Sequence, residues 1–480
     1  MKLAGRCRSA RPTAGLIVVG LCLAAGGLLP ASAGAAAPGE LWVNQADPTC
    51  SENLTRAQVS QATPWCTLRT AASRARAGDT VEVMPGRYRG TVRPVASGSP
   101  SAPIRFLAPF GRVTVDAAGD AVGLKVIGVG WVSFEGFAVT GAAAQGVYVD
   151  NSSGATFTRL TVSGNGAYGI QVRASGLTVS DSTISGNGMA GVSELAGSFG
   201  NVYENNTITG NGKDGHPYNG DGIQLNGVAA GVTGNRITGN GDRGIYEHGI
   251  YAGSSSSDYV LESNTLSGNA ASDIKAAGSN GTVRYNRLGD SRLGLVFSDN
   301  ARPVSAYYNL IVGRFQHAVF FTTGTRPAQA RLWDNTIVQT GRISPSGDAS
   351  AVLVNSATLA DLRNDLICYA NADDLGVAVS VRGASRATVV SNTNWLCSGD
   401  RLGRNLALGG KRMTLGVWQA SSGQDAASIS SAAARFDADF RVRSVNLGAG
   451  IGQPLGLPRD YAGASVPGLA PDIGAYQSPA

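Results

Sequence analysis

The 480-residue sequence has only three histidines, few aromatic residues (7%) and few charged ones (15%). After Leu29 no apolar run approaches the roughly 20 residues that a membrane-spanning helix needs, so no membrane partner is expected. Helical repeats need long glycine-free runs, and here 66 glycines punctuate the chain. Leucine-rich repeats need a leucine frame, which is missing. No wall-sorting motif is present to favour a surface adhesin.

The beginning of the chain is different. Lys2, Arg6, Arg8 and Arg11 precede an apolar stretch from Leu16 to Leu29, and Ala31-Ser32-Ala33 or Ala35-Ala36-Ala37 offers a cleavage site. Residues 1–37 therefore read as a secretory signal peptide. Leu21 stands before Cys22 where a lipobox needs a small residue, so no lipid anchor is expected. The chain has 39 basic and 33 acidic residues; without the four basic residues of the signal, 35 face 33 and the net charge falls from +6 to +2. That balance gives no support to a nucleic-acid partner. Cys7 and Cys22 leave with the signal. Cys50, Cys66, Cys368 and Cys397 form an even set in an exported chain, so disulfides are expected. Proximity favours Cys50–Cys66 and Cys368–Cys397 among the three possible pairings, and the spacings fit no zinc pattern.

From residue 113 the sequence repeats one phrase: LTVSGNGAYGIQV from Leu160, STISGNGMAGVSE from Ser182, NTITGNGKDG from Asn206 and NRITGNGDRGIYEHGIY from Asn235. Asn206, Asn235, Asn264, Asn286, Asn309, Asn335, Asn364 and Asn392 mark a period of 22 to 29 residues. Such self-similarity means a solenoid. Short β-branched runs alternate apolar with polar residues between Gly-Asn corners, so the units are strands. The pattern resembles the right-handed parallel β-helix of the pectate-lyase-like superfamily across residues 113–400. The resemblance implies an all-β solenoid of about 10–12 coils with inward Ile and Val and with Asn side chains bonded along a corner.

Residues 38–112 are expected to hold the N-terminal cap and first coils. In CTLRTAASRARAG, Leu68, Ala71, Ala72 and Ala75 share one face of a short capping helix, with Thr67 as N-cap and Gly78 ending it. The strand DTVEVMPGRY then begins the coil. Residues 401–480 read as an extension that packs on or caps the solenoid, and their close, PDIGAYQ, resembles tails of bacterial β-helix proteins. A secreted, extracellular bacterial monomer is expected.

Aligning the units on their Gly-Ile step puts Gln171, Ser193, Gln224, Tyr251, Lys275, Val296 and Phe320 in one outward column. Two residues before each inward Ile or Val, a second column contains Asp221, His248, Ser272, Leu293 and His317. Asp221, Gln224, His248, Tyr251, Asp273 and Lys275 are thereby expected on one polar patch, bounded where the column turns apolar at Val296. A lyase acting on a uronate polymer needs a cation, a base and an acid within reach of one sugar. Lys275, Tyr251 and His248 are the catalytic candidates: Lys275 or His248 as base, Tyr251 as acid. Arg243, Arg284 and Arg292 are neighbours that would favour the neutral amine of Lys275. Asp221, Gln224, Asp273, Arg243, Arg292 and His216 are candidates for substrate binding. Arg284 and His317 (in FQHAVFF) read as structural, and Tyr246 and Glu247 as loop lining.

DIKAAGSNGTVRYN, residues 273–286, resembles the chondroitinase B and alginate lyase pattern, which implies Lys275 as base. Calcium is possible by the same resemblance, although NAAS stands where that family has its paired glutamates. NGDGI (219–223), HGIYAGS (248–254) and DIK (273–275) are similar in order to polygalacturonase motifs, which implies Asp221 as a catalytic carboxylate with His248 and Lys275 as substrate ligands. The second aspartate rung of that family is missing. The expected activity is therefore β-elimination on an acidic polysaccharide. The alternatives are hydrolysis, C5 epimerisation and glycan binding without catalysis.

Overall fold

The computed structural model describes residues 39–478 except 214–218, 243, 299–300, 323–327, 344–348, 356–357, 372–375, 383–388, 433 and 444–445. The signal segment 1–37, His216 and Arg243 lie outside the described residues.

The short strands cannot bury an apolar face alone, and they do so by stacking coil on coil. The chain winds through about twelve turns. Each turn adds strands to three sheets, which contain 14, 14 and 13 strands among the described residues. Pairing is parallel throughout, except where Leu406–Leu408 meets Lys411–Met413. Alternation along each strand sends Ile, Val and Leu inward. Phe106, Phe134 and Phe157 stack within the core, with ring centroids 4.7 and 6.1 Å apart.

The corners explain the repeated asparagines. Between the first and second sheets one residue per coil takes a left-handed backbone, for example Asn205 (φ 55°), Ser263 (57°), Tyr285 (56°) and Tyr308 (51°). That conformation costs a non-glycine residue roughly 1–2 kcal/mol. The next residue secures the turn. The Asn235 Oδ1 accepts from both the backbone N–H (2.9 Å) and the Nδ2 (3.0 Å) of Asn206 one coil earlier. The same pattern links Asn235, Asn264, Asn286, Asn309 and Asn335. A second ladder of Asn165, Asn187, Asn211, Asn240 and Asn269 lines the next corner.

The asparagine spacing misplaces the ladder in its last two rungs. Asp365 takes the rung after Asn335, and the Asn394 Oδ1 accepts the Asp365 N–H. Asn364 is the left-handed corner residue instead (φ 56°), and its amide exchanges hydrogen bonds with the backbone of Gln453.

At the N-terminal end, helix α1 (Leu68–Arg74) is capped by the Thr67 side chain and buries Leu68, Ala71 and Ala72. It stops at Arg74, before the expected Gly78, because Ala75 is already extended (ψ 145°). Strand Glu40–Val43 pairs with Thr80–Val83, so the sheets begin one strand earlier than DTVEVMPGRY. They also run beyond residue 400, to Ile429–Ala432, which pairs with Trp395–Ser398. Helix α2 (Leu415–Ser422) buries Trp418. The tail then packs Ile473 against Trp395, Leu366 and the disulfide region. Cys50 bonds Cys66 and Cys368 bonds Cys397, the latter between neighbouring rungs. No helix among the described residues is long and apolar enough to cross a membrane.

Candidate functional site

Strands Ile223–Leu225, His248–Ala252, Ser272–Ala276, Leu293–Phe297, His317–Phe321 and Ser350–Val354 stack in the third sheet. Their pairing puts Gln224, Tyr251, Lys275, Val296, Phe320 and Leu353 in a single column. The Gly-Ile step that sets this register has a steric cause. A Cβ on Gly249 would lie 2.6 Å from the carbonyl oxygen of Asp273 and 2.7 Å from the Asn269 amide.

Three of the sequence candidates meet here. The His248 and Tyr251 ring centroids are 5.6 Å apart, and the Lys275 Nζ stands 5.1 Å from the centre of the Tyr251 ring. Tyr251 and Lys275 are half-buried, whereas His248 is only 5% exposed. The His248 Nδ1 and the Ser272 Oγ are 2.8 Å apart, which fixes the ring. Burial, reinforced by the Lys275 charge, pushes the His248 pKa down to about 3, so its imidazole is neutral at pH 7. A group that weakly basic is a poor proton abstractor and a good positioning group. His248→Gln is therefore expected to lower kcat by about tenfold without moving the limbs of the pH–rate profile. Disappearance of a limb would make the imidazole the base.

The acidic candidates lie elsewhere. Asp221 is 1% exposed, and its Oδ1 accepts the backbone N–H of His248 at 2.6 Å. It braces that strand from behind, and burial raises its pKa to about 8. Asp273 does not join the patch. It is fully buried and accepts from Asn269 Nδ2 (3.0 Å), Gly289 N–H (2.9 Å) and the Ser291 hydroxyl, closing the second asparagine ladder. Glu247 is also buried, its Oε2 accepting the Asp242 N–H. Gln224 stays on the outward face, where its Oε1 accepts from Ser193 Oγ. Arg284 is structural, as its sequence position suggested, pairing with Glu262 and donating to the Tyr307 hydroxyl.

The patch continues past Lys275 instead of ending there. His248, Lys275, Arg292, Gln316, His317 and Arg382, with the apolar Leu293, Val296, Phe320 and Leu353, line a cavity of about 290 Å³. None of the described residues that line it is acidic. Arg292 is positioned by its Nε, which donates to the Gln316 Oε1 at 3.1 Å. His317, structural by sequence, lies on this wall with its Nδ1 within 3.2 Å of the Ser350 hydroxyl, repeating the His248–Ser272 arrangement. Arg382 and Leu353 carried no sequence signal, because the repeat phrase fades after Phe321 and the coils there differ in length.

Among the described residues, no group of three or more His, Cys, Asp or Glu side chains could hold a metal ion. Asn269, Ala270, Ala271 and Ser272 stand where the chondroitinase resemblance calls for glutamates, so the residues present do not fit a calcium ion.

The stacked register and its outward column frame the comparisons with known proteins. Residues 122–246 and 221–394, more than half of the chain, match the family model described as "Right handed beta helix region". The chain belongs to the right-handed β-helix family. No curated protein matches it. The solved structure of XylC with xylose is 11% identical, with a TM-score of 0.52, over 92% of this β-helix and 98% of that chain. Pectate lyase Pel9A is 16% identical (TM-score 0.43) over 92% of this β-helix and 97% of that chain. A family 6 polysaccharide lyase from Pseudopedobacter saltans is 13% identical (TM-score 0.45) over 75% and 89%. At these identities the likeness to XylC concerns the fold alone.

Proposed function

We propose that this β-helix is a secreted, carbohydrate-active protein, a lyase that cleaves a uronate-containing polysaccharide by β-elimination. One observation carries the reading: a cavity with Lys275, Arg292 and Arg382 on its walls, Tyr251 beside Lys275, and no carboxylate among the described residues that line it. Cations without carboxylates suit an anionic sugar. They do not suit glycoside hydrolysis, which needs two facing carboxyl groups. Asp221, Glu247 and Asp273 are buried, and Asp242 and Asp290, though exposed, are not among the described residues that line the cavity.

In the proposed step Arg292 and Arg382 hold the uronate carboxylate and stabilise the charge that develops on it. The Lys275 Nζ takes the C5 proton. The C5–H electrons form the C4–C5 double bond, and the C4–O bond breaks. The departing oxygen takes a proton from Tyr251. His248 keeps the Tyr251 ring in place.

Purified mature protein is to be incubated with alginate, pectate, glucuronan and glycosaminoglycans. Ultraviolet absorbance of unsaturated uronate is expected to rise on at least one. Reducing ends without that chromophore would establish hydrolysis, exchange of the C5 hydrogen without cleavage would establish epimerisation, and binding alone would establish a non-catalytic role.

A further inference from the structure

The column that contains Lys275 begins at another lysine. Parallel pairing runs without a break through Lys125, Tyr148, Gln171, Ser193, Gln224, Tyr251 and Lys275. The five side chains between the two lysines are uncharged hydrogen-bonding groups. Gln145 Nε2 donates to Gln171 Oε1 (3.0 Å) and Ser193 Oγ to Gln224 Oε1 (3.2 Å), so the ribbon is laced along its length. The Asp150–Arg173 ion pair on the neighbouring column adds no net charge.

At the Lys125 end, between helix α1 and the first coils, lies an open cavity of about 530 Å³, lined by Arg69, Arg93, Lys125, Thr91 and Ser73 together with Asp120 and apolar residues. Asp120 is the one acid in that lining. One of its oxygens accepts the Thr91 N–H (2.8 Å) and hydroxyl (3.0 Å), and its charge also faces Arg69. Three cations against one acid leave this end positive. Six rung steps of about 4.8 Å separate the two lysines, so the two cationic ends stand roughly 29 Å apart on one face.

We propose that the Arg69–Arg93–Lys125 cavity is a remote anion subsite, which holds a carboxylate of the same polyanionic chain whose other end occupies the Lys275 cavity. This rests on the acidic-polysaccharide reading above and adds that the ligand is a long, extended segment. Two separated ion-pairing ends act as linked binding modules, so a chain long enough to reach both gains affinity without new contacts at either. The gain is electrostatic and falls with salt.

The test uses tetramers and octamers of mannuronate and of galacturonate with the full mature protein in a Lys275→Arg background, which keeps the charge and prevents consumption. Calorimetry is expected to show an octamer of at least one series binding at least about tenfold more tightly than its tetramer. Adding Arg69→Ala, Arg93→Ala and Lys125→Ala should erase that difference and leave tetramer affinity within about twofold. Circular dichroism checks that the coil is intact, and the single Lys125→Ala variant serves if the combined variant fails to fold. Equal affinity for the two lengths, no binding of either, or an octamer advantage that survives the substitutions overturns the subsite. Elimination from the tetramers by protein with native Lys275 is measured in parallel. Its absence there, together with no unsaturated chromophore from any of the four polymer classes above, overturns the lyase reading, while the length dependence still decides this one.

Discussion

Arginine at position 275 is expected to lower kcat by about 10³-fold while KM stays within about threefold. The reason lies in what the two side chains share and what they do not. Both put a long basic side chain beside Tyr251, but guanidinium stays protonated at any working pH and cannot accept the C5 proton. If Lys275 only neutralised the uronate, Lys275→Arg would retain most of the activity, and a variant within tenfold of the parent would sink the base assignment. Lys275→Ala should lose kcat equally and raise KM as well, since it also removes the side chain's contact with the sugar. Release of the unsaturated chromophore at saturating and limiting substrate separates the two effects. The described site has few other candidates for this role: His248 is neutral and weakly basic, and Asp221, Glu247 and Asp273 are buried.

Replacing Asp365 by asparagine is expected to stabilise the fold at neutral pH by about 1–3 kcal/mol, the usual cost of a buried polar atom left without a partner. Asp365 occupies a rung that asparagine fills in the coils before it. Its Oδ1 accepts the backbone N–H and the Nδ2 of Asn335, both at 2.9 Å, as an asparagine oxygen would. Its Oδ2 takes the place of the amide nitrogen, is buried and has no hydrogen-bond partner. Burial drives its pKa well above the usual carboxylate range, so the folded chain keeps a proton that the unfolded chain releases near pH 4. The unfolded state therefore binds fewer protons. Stability is greatest below the unfolded pKa and falls by about 1.4 kcal/mol per pH unit above it, until the folded carboxyl also ionises. Asp365→Asn supplies the donor without a proton having to be taken up, and removes this slope. Urea midpoints at pH 5 and pH 8 should separate parent from variant more widely at the higher pH. A variant that is no more stable than the parent at pH 8 would show that the carboxylate is accommodated.

Much of the solenoid was legible because its physics is local and repeated. Gly-Asn corners and Gly-Ile steps recur in Gly164-Asn165, Gly186-Asn187 and Gly239-Asn240, and each unit reports the same sheet register. From that register the meeting of His248, Tyr251 and Lys275 follows. The reading slipped where repetition weakens. Asn364 and Asn392 carry the right residue type one or two positions from the true rungs, Asp365 and Asn394. Asp273 lies next to an outward residue, but a side chain beside the sheet edge can turn back into the corner, and its three donors hold it there.

The sequence by itself determined the coil: the left-handed corners, the amide ladders, the apolar interior and which residues share a column. These need only neighbouring coils, whose contacts the repeat encodes directly. Only the tertiary structure decided which polar side chains stay in the cleft. The burial that makes His248 neutral and seals Asp221 depends on coils whose side chains do not repeat, as does the Arg382 wall more than 100 positions beyond Lys275. Dehydration and charge are sums over a neighbourhood, and the repeat fixes the backbone of that neighbourhood without fixing what projects from it.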